Sequence, residues 1–75
     1  MTSYLEILVF KTNIRFKKEV KMVGNWLNTH PSVLKWNIDL EDKDLVLRVE
    51  AMKIRAHEII QNINLLGFFC EELTD

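Results

Sequence analysis

The spacing of hydrophobic and polar residues changes several times along the chain, and each change marks an element. Residues 4–10 (Tyr-Leu-Glu-Ile-Leu-Val-Phe) alternate with period two and are rich in β-formers. This predicts a strand with Leu5, Ile7 and Val9 on its inner face. The opposite face then carries Tyr4, Glu6, Leu8 and Phe10, an unusually apolar set for a solvent side. Residues 15–28 switch to helical spacing: Phe16, Val20, Val23 and Leu27 form one stripe, with Lys17, Lys18 and Lys21 outside it. Thr12 or Asn13 is the expected N-cap, and the helix should stop at His30-Pro31, because a residue before proline avoids the α region. Gly24 inside this helix costs up to about 1 kcal/mol against alanine, which predicts a close contact there.

Residues 33–40 return to alternation, with Trp36, Ile38 and Leu40 on one face and Lys35, Asn37 and Asp39 on the other. Glu41-Asp42-Lys43-Asp44 is a polar turn, short enough to require a hairpin. Its second arm, residues 45–50, turns Leu45, Leu47 and Val49 inward and Val46, Arg48 and Glu50 outward. A second amphipathic helix is predicted over about 55–66, with Ile59, Ile63 and Leu66 on its buried stripe. Ile54 precedes it as a hydrophobic staple, Glu58 sits where a capping-box carboxylate belongs, and Arg55 is a poor cap. Gly67 is the expected glycine after the helix, and residues 68–73 close as a last strand.

The order β-α-β-β-α-β predicts an α+β, ferredoxin-like sandwich. Two right-handed crossovers flank a hairpin, giving a four-stranded antiparallel sheet of order 4-1-3-2 with both helices on one face. Residues 1–75 form one such domain. The fold hosts many unrelated activities, so function has to be read from particular residues.

Composition narrows the classes. Hydrophobic residues at 48% and charged residues at 28% exclude a disordered tail. No apolar run reaches about 18 residues, so no membrane span is expected. The start of the chain shows no basic leader running into an apolar stretch. A net charge of −1 and a pI near 6.1 argue against neutralising many phosphates. One cysteine cannot form an internal disulfide, which places the chain in a reducing cytoplasm.

Two stretches carry a family resemblance. Ser32-Val33-Leu34-Lys35-Trp36-Asn37-Ile38-Asp39-Leu40 is similar to a strand reading Gly-Val-x-x-Val-x-Val-Asp-Leu, with Leu45-x-Leu47-x-Val49 at the matching distance. Ile59-x-x-x-Ile63-x-x-x-Gly67-Phe68 is similar to an ending Ile-x-x-x-Ile-x-x-x-Gly followed by an aromatic. Over roughly residues 4–73 the chain resembles the heavy-metal-associated domain of copper chaperones and metal-pumping ATPases. That family's loop reads Gly-Met-x-Cys-x-x-Cys, and here the corresponding stretch is Phe10-Lys11-Thr12-Asn13-Ile14-Arg15-Phe16. Asn13 and Phe16 stand at the two cysteine positions and Lys11 at the methionine. Cu(I) is held by soft thiolates and Zn(II) by thiolate or imidazole, which an amide and a benzyl group do not supply. The resemblance also puts Phe68 near Asn13 or Phe16, and an aromatic contact between the Phe68 and Phe16 rings is the expected means of ordering the loop.

The remaining candidate ligands are His30, His57, Cys70, Met22 and Met52. None shows Cys-x-x-Cys or His-x-x-x-His spacing. The crossovers are expected to set His30 and His57 on opposite sides of the sheet, in surface or capping roles. Cys70 is expected in the core beside Phe68, as free cysteines usually are. A cysteine nucleophile needs a neighbouring base and a positive setting, whereas Cys70 is followed by Glu71 and Glu72. The other acids (Glu41, Asp42, Asp44, Asp75) read as solvated, and there is no glycine-rich phosphate loop. No enzyme activity and no cofactor are expected. RNA-recognition domains share this topology, but they stack bases on outer-face aromatics, and the third strand here has none.

Two features point to protein contacts. Residues 11–21 hold five cations, Lys11, Arg15, Lys17, Lys18 and Lys21, against Glu19, while residues 39–44 hold four acids against Lys43. The resemblance implies that a basic surface beside the loop docks an acidic partner domain. The second feature is the outer sheet face, where Tyr4, Leu8, Phe10, Val46 and Phe69, with Leu34 near the edge, form an apolar patch suited to a weak homodimer or a protein partner. The leading expectation is a small non-catalytic interaction module without the dithiol metal site, binding neither nucleic acid nor membrane. The alternative is Cu or Zn transport through non-standard ligands such as Cys70.

Overall fold

A computed structural model describes residues 5–74. The chain runs β1 (Glu6–Thr12), α1 (Lys17–Thr29), β2 (Val33–Ile38), β3 (Leu47–Ala51), α2 (Ala56–Leu65) and β4 (Cys70–Glu72). The strands form one antiparallel sheet of order β2-β3-β1-β4. Val23 and Leu27 of α1 and Ile59 and Ile63 of α2 share a core with Leu8, Phe10, Leu47 and Val49 of the sheet, so both helices cover the same face. This is the ferredoxin-like arrangement that the residue pattern predicts.

β1 presents the opposite face from the one its alternation suggests. Leu8 is 9% and Phe10 0% exposed, whereas Leu5 and Ile7 are each 54% exposed. The reason lies in the neighbouring strand. Directly opposed residues of an antiparallel pair share a face. Leu8 opposes Val49 and Phe10 opposes Leu47, while Ile7 opposes Glu50 and Val9 opposes Arg48. β3 is unambiguous, because its alternate residues are charged, and it dictates the facing of β1. Leu8 and Phe10 are therefore core residues and not part of a sheet-face interface. Val46 is half-buried between the inward Leu45 and Leu47, and Phe69 is exposed. Tyr4 lies outside the described residues.

α1 begins later than expected. Its N-cap is Phe16, not Thr12 or Asn13, and the ring offers no acceptor. Glu19 takes over: its Oε1 accepts from the backbone N–H groups of Arg15 at 2.9 Å and Phe16 at 3.0 Å. Those bonds hold the Glu19 carboxyl below its ordinary range. Gly24 is buried under Trp36, and a Cβ there would lie 2.5 and 2.7 Å from two carbons of the indole. The Trp36 Nε1–H donates to Asn28 Oδ1 at 2.8 Å, so the ring is pinned along α1 and the glycine is the space it needs.

The far end of the helices is tied by one histidine. The Ser32 N–H donates to His30 Nδ1 at 3.1 Å, which leaves Nε2 to donate to Glu58 Oε2 at 2.8 Å. Glu58 thus bridges to α1 instead of closing a capping box, and the end of α1 lies beside the start of α2. The two helices enter this end antiparallel, so His30 and the first turn of α2, including His57, are at the same end and not on opposite sides. α2 finishes as its sequence predicts: Gly67 adopts φ 100°, its N–H reaches the Asn64 carbonyl, and the Phe68 N–H reaches that of Ile63.

The facing of β1 is directly testable. Phe10→Ala should cost about 3–5 kcal/mol through the cavity it leaves, while Ile7→Ala should cost under about 1 kcal/mol. Urea midpoints of the two variants compared with the wild type give the order, and the reverse order would mean the reverse face.

Candidate functional site

The segment joining β1 to α1 inherits the in-and-out alternation of the strand. Thr12 is 5% exposed and Ile14 is 0% exposed, while Asn13, Arg15 and Phe16 point to solvent. Thr12 meets three backbone groups. Its hydroxyl donates to the Leu45 carbonyl at 2.6 Å and accepts from the Ile14 N–H at 3.2 Å, and its own N–H donates to the Asp44 carbonyl at 3.1 Å. These bonds lock the β1–α1 segment against the turn between β2 and β3. On the other side, Asn13 Oδ1 accepts from the Phe69 N–H at 2.9 Å, which staples the segment to the start of β4.

Polar bonds and the buried Ile14 thus order this segment, in place of the expected Phe16–Phe68 contact. Phe68 packs against the core, but Phe16 is 58% exposed. Phe69 and Leu65 are also exposed at this end, on either side of the α2–β4 junction.

The candidate ligands are not brought together. Cys70 pairs with Thr12 on the helix-covered face and is 6% exposed. Burial pushes its thiol up to about 12. His30 follows the last turn of α1, whereas Asn13 and Phe16 precede its first. The thirteen residues of that helix separate them by about 20 Å. Met52 lies next to Ser32 at the far end, its N–H bonded to the Ser32 carbonyl, and Met22 is exposed on the outside of α1. Among the described residues no group of three or more His, Cys, Asp or Glu is placed to hold a metal ion.

The basic and acidic segments, distant in sequence, are neighbours in space. Lys11 Nζ lies 3.8 Å from Asp44 Oδ1, an exposed pair of little energetic weight. Arg15 forms one wall of a cleft of about 330 Å³, whose other walls are Leu40, Glu41, Asp42, Lys43 and Leu45. Lys17, Lys18 and Lys21 are exposed along α1. Cations and anions therefore stand side by side at one end of the molecule. Sequence reasoning missed this, although Thr12 was a signal: a hydroxyl ending a buried strand face needs a backbone partner from another segment.

No family model matches the chain, and none of the curated proteins matches it in sequence. Solved structures do match its fold. One is a protein described as the CsoZ metallochaperone, with a TM-score of 0.77 and 15% identity, covering 95% of this chain and 100% of that one. Another is a chain of the Atx1–Cu(I)–Ccc2a complex in solution, with a TM-score of 0.78 and 21% identity, covering 92% of this chain and 96% of that one. The chain therefore has the fold seen in these two structures. No helix among the described residues is long and apolar enough to cross a membrane.

Two outcomes follow from this geometry. Cys70 should react with a thiol reagent near neutral pH far more slowly in the native protein than in urea, because burial and a thiol pushed up to about 12 suppress the thiolate. Rapid native labelling would place it at the surface. Asn13→Ala should cost about 0.5–1.5 kcal/mol and speed hydrogen exchange at the Phe69 amide, which loses its acceptor.

Proposed function

We propose that this chain is a non-catalytic protein-docking module built on the fold of heavy-metal-associated domains, with a loop whose donors do not suit a soft metal ion. The observation that carries the reading is Phe16. At the position where the resemblance expects the second cysteine, the chain presents an aromatic ring, 58% exposed, at the start of α1. At the first cysteine position, the Asn13 side-chain oxygen is engaged with the Phe69 N–H. One cysteine in the chain cannot supply a thiolate pair, and that cysteine lies on the inner face. Arg15, Lys17, Lys18 and Lys21 are exposed in the same stretch of chain, with Lys11 turned toward Asp44. An aromatic anchor within a charged rim is the composition of a docking surface.

A second reading is favoured by the fold matches, one described as a metallochaperone and one solved as a Cu(I) complex of two proteins. On that reading the chain carries Cu(I) with Cys70 as a ligand, completed by a donor from another chain.

Competition for Cu(I) against a chromogenic chelator, on the reduced protein, separates the two. The docking reading expects no measurable withdrawal of Cu(I) by the wild type, and a large gain of affinity in the Asn13→Cys, Phe16→Cys double variant. Tight one-to-one binding by the wild type, lost in Cys70→Ser, would overturn it in favour of metal carriage.

A further inference from the structure

We propose that the partner at this end is a second copy of the same chain, docked by mutual insertion of Phe16 into the cleft between Arg15 and the 40–45 turn. The inference rests on the docking reading above and gives it an occupant.

Phe16 is a held knob. Its N–H donates to the Glu19 carboxylate at 3.0 Å, and its carbonyl accepts from the Glu19 and Val20 N–H groups at 2.9 and 3.0 Å. The backbone under the ring is thus fixed before any partner arrives, and little ordering is left to pay on binding. The hole is one residue away. Arg15, next to Phe16 in the chain, walls the cleft of about 330 Å³, which lies wide open to solvent and so to a side chain from outside. Leu40, 39% exposed, and Leu45 give the cleft its apolar lining. A knob and a hole side by side on one surface are what a two-fold interface exchanges, because each copy must offer the same patch.

Charge selects the occupant. On the helix side of the patch stand Arg15, Lys17 and Lys18; on the turn side stand Glu41 and Asp42 with Lys43 beside them, while Asp44 is paired with Lys11. A uniformly acidic partner would satisfy the lysines and be repelled by the turn. A second copy turned by a two-fold axis sets each lysine group opposite the other copy's carboxylates and satisfies both. The acidic domain expected from sequence is therefore a poorer fit than the chain itself.

The test uses the full chain, reduced and with a metal chelator, followed by sedimentation and light scattering over a concentration series reaching about 1 mM. The wild type should move toward the mass of a dimer, less so at high salt. Phe16→Ala should weaken association at least about tenfold with the helical signal unchanged. Two charge-reversed chains provide the decisive arm. Lys17→Glu, Lys18→Glu and Glu41→Lys, Asp42→Lys should each be monomeric alone, since like charges then face each other. Mixed in equal amounts they should form a heterodimer. All four positions are exposed, and unchanged circular dichroism verifies the fold of each variant. A wild type that stays monomeric, a Phe16→Ala variant that dimerises undiminished, or a mixture that fails to associate would each overturn the proposal. Because metal is withheld, its failure is separate from that of the docking reading, which falls only if the wild type binds Cu(I) tightly in the competition assay.

Discussion

β1 is bonded to β3 on one side and β4 on the other, and the face it turns to the helices decides the position of everything near the loop. With Leu8 and Phe10 inward, the alternation carries on past the strand and puts Thr12 and Ile14 inside, Lys11 and Asn13 outside. Had the strand been turned over, Lys11 would enter the core as an unpaired charge and the Thr12 hydroxyl would lose its backbone partners. Either change is costly in an apolar interior, and the two act together. The charged residues of β3 make the choice, since Arg48 and Glu50 cannot face the helices.

From that choice comes the order of the site. Among the described residues Thr12 is the one buried polar residue, and it gathers the β1–α1 segment and the β2–β3 turn onto one hydroxyl and one N–H. Leu45, whose carbonyl accepts the Thr12 proton, is in the left-handed region at φ 47°. Such a conformation costs a leucine on the order of 1–2 kcal/mol, which the hydrogen bond and the burial of its side chain offset. The acidic turn is thereby drawn against Lys11 and Arg15. A charge distribution that reads along the chain as two separate blocks becomes a single bipolar surface.

The two ends of the molecule are tied by different bonds. At the far end Trp36 over Gly24, and His30 between Ser32 and Glu58, join helix to sheet and helix to helix, and Leu5 and Leu34 are exposed there. At the loop end the polar bonds are equally complete, yet Phe16, Phe69 and Leu65 are left in solvent. Apolar side chains held on an ordered backbone favour recognition, because association then orders little that was free. The proposed docking role rests on the fixed backbone beneath the exposed Phe16, since the fold by itself settles no role.

The elements, their order, the strand neighbours, the glycine that ends α2 and the close contact at Gly24 were all legible from residues alone. Each depends on local chemistry: hydrophobic period, proline and glycine geometry, or a helix propensity penalty that needs a reason. Cys70 in the core was legible too, by the same period. What only the tertiary structure decided is the facing of β1, the cap at Phe16, the His30–Glu58 bridge and the meeting of the basic and acidic segments. In β1 both faces are apolar, with Leu5, Ile7 and Val9 against Leu8 and Phe10, so alternation within the strand carries no information about direction. The register against β3 supplies it. The His30–Glu58 bridge likewise joins residues 28 apart in sequence and the Thr12–Leu45 bond residues 33 apart, through side chains common in surface loops. Local pattern determines which elements form; pairing between elements determines which of their faces is left to bind.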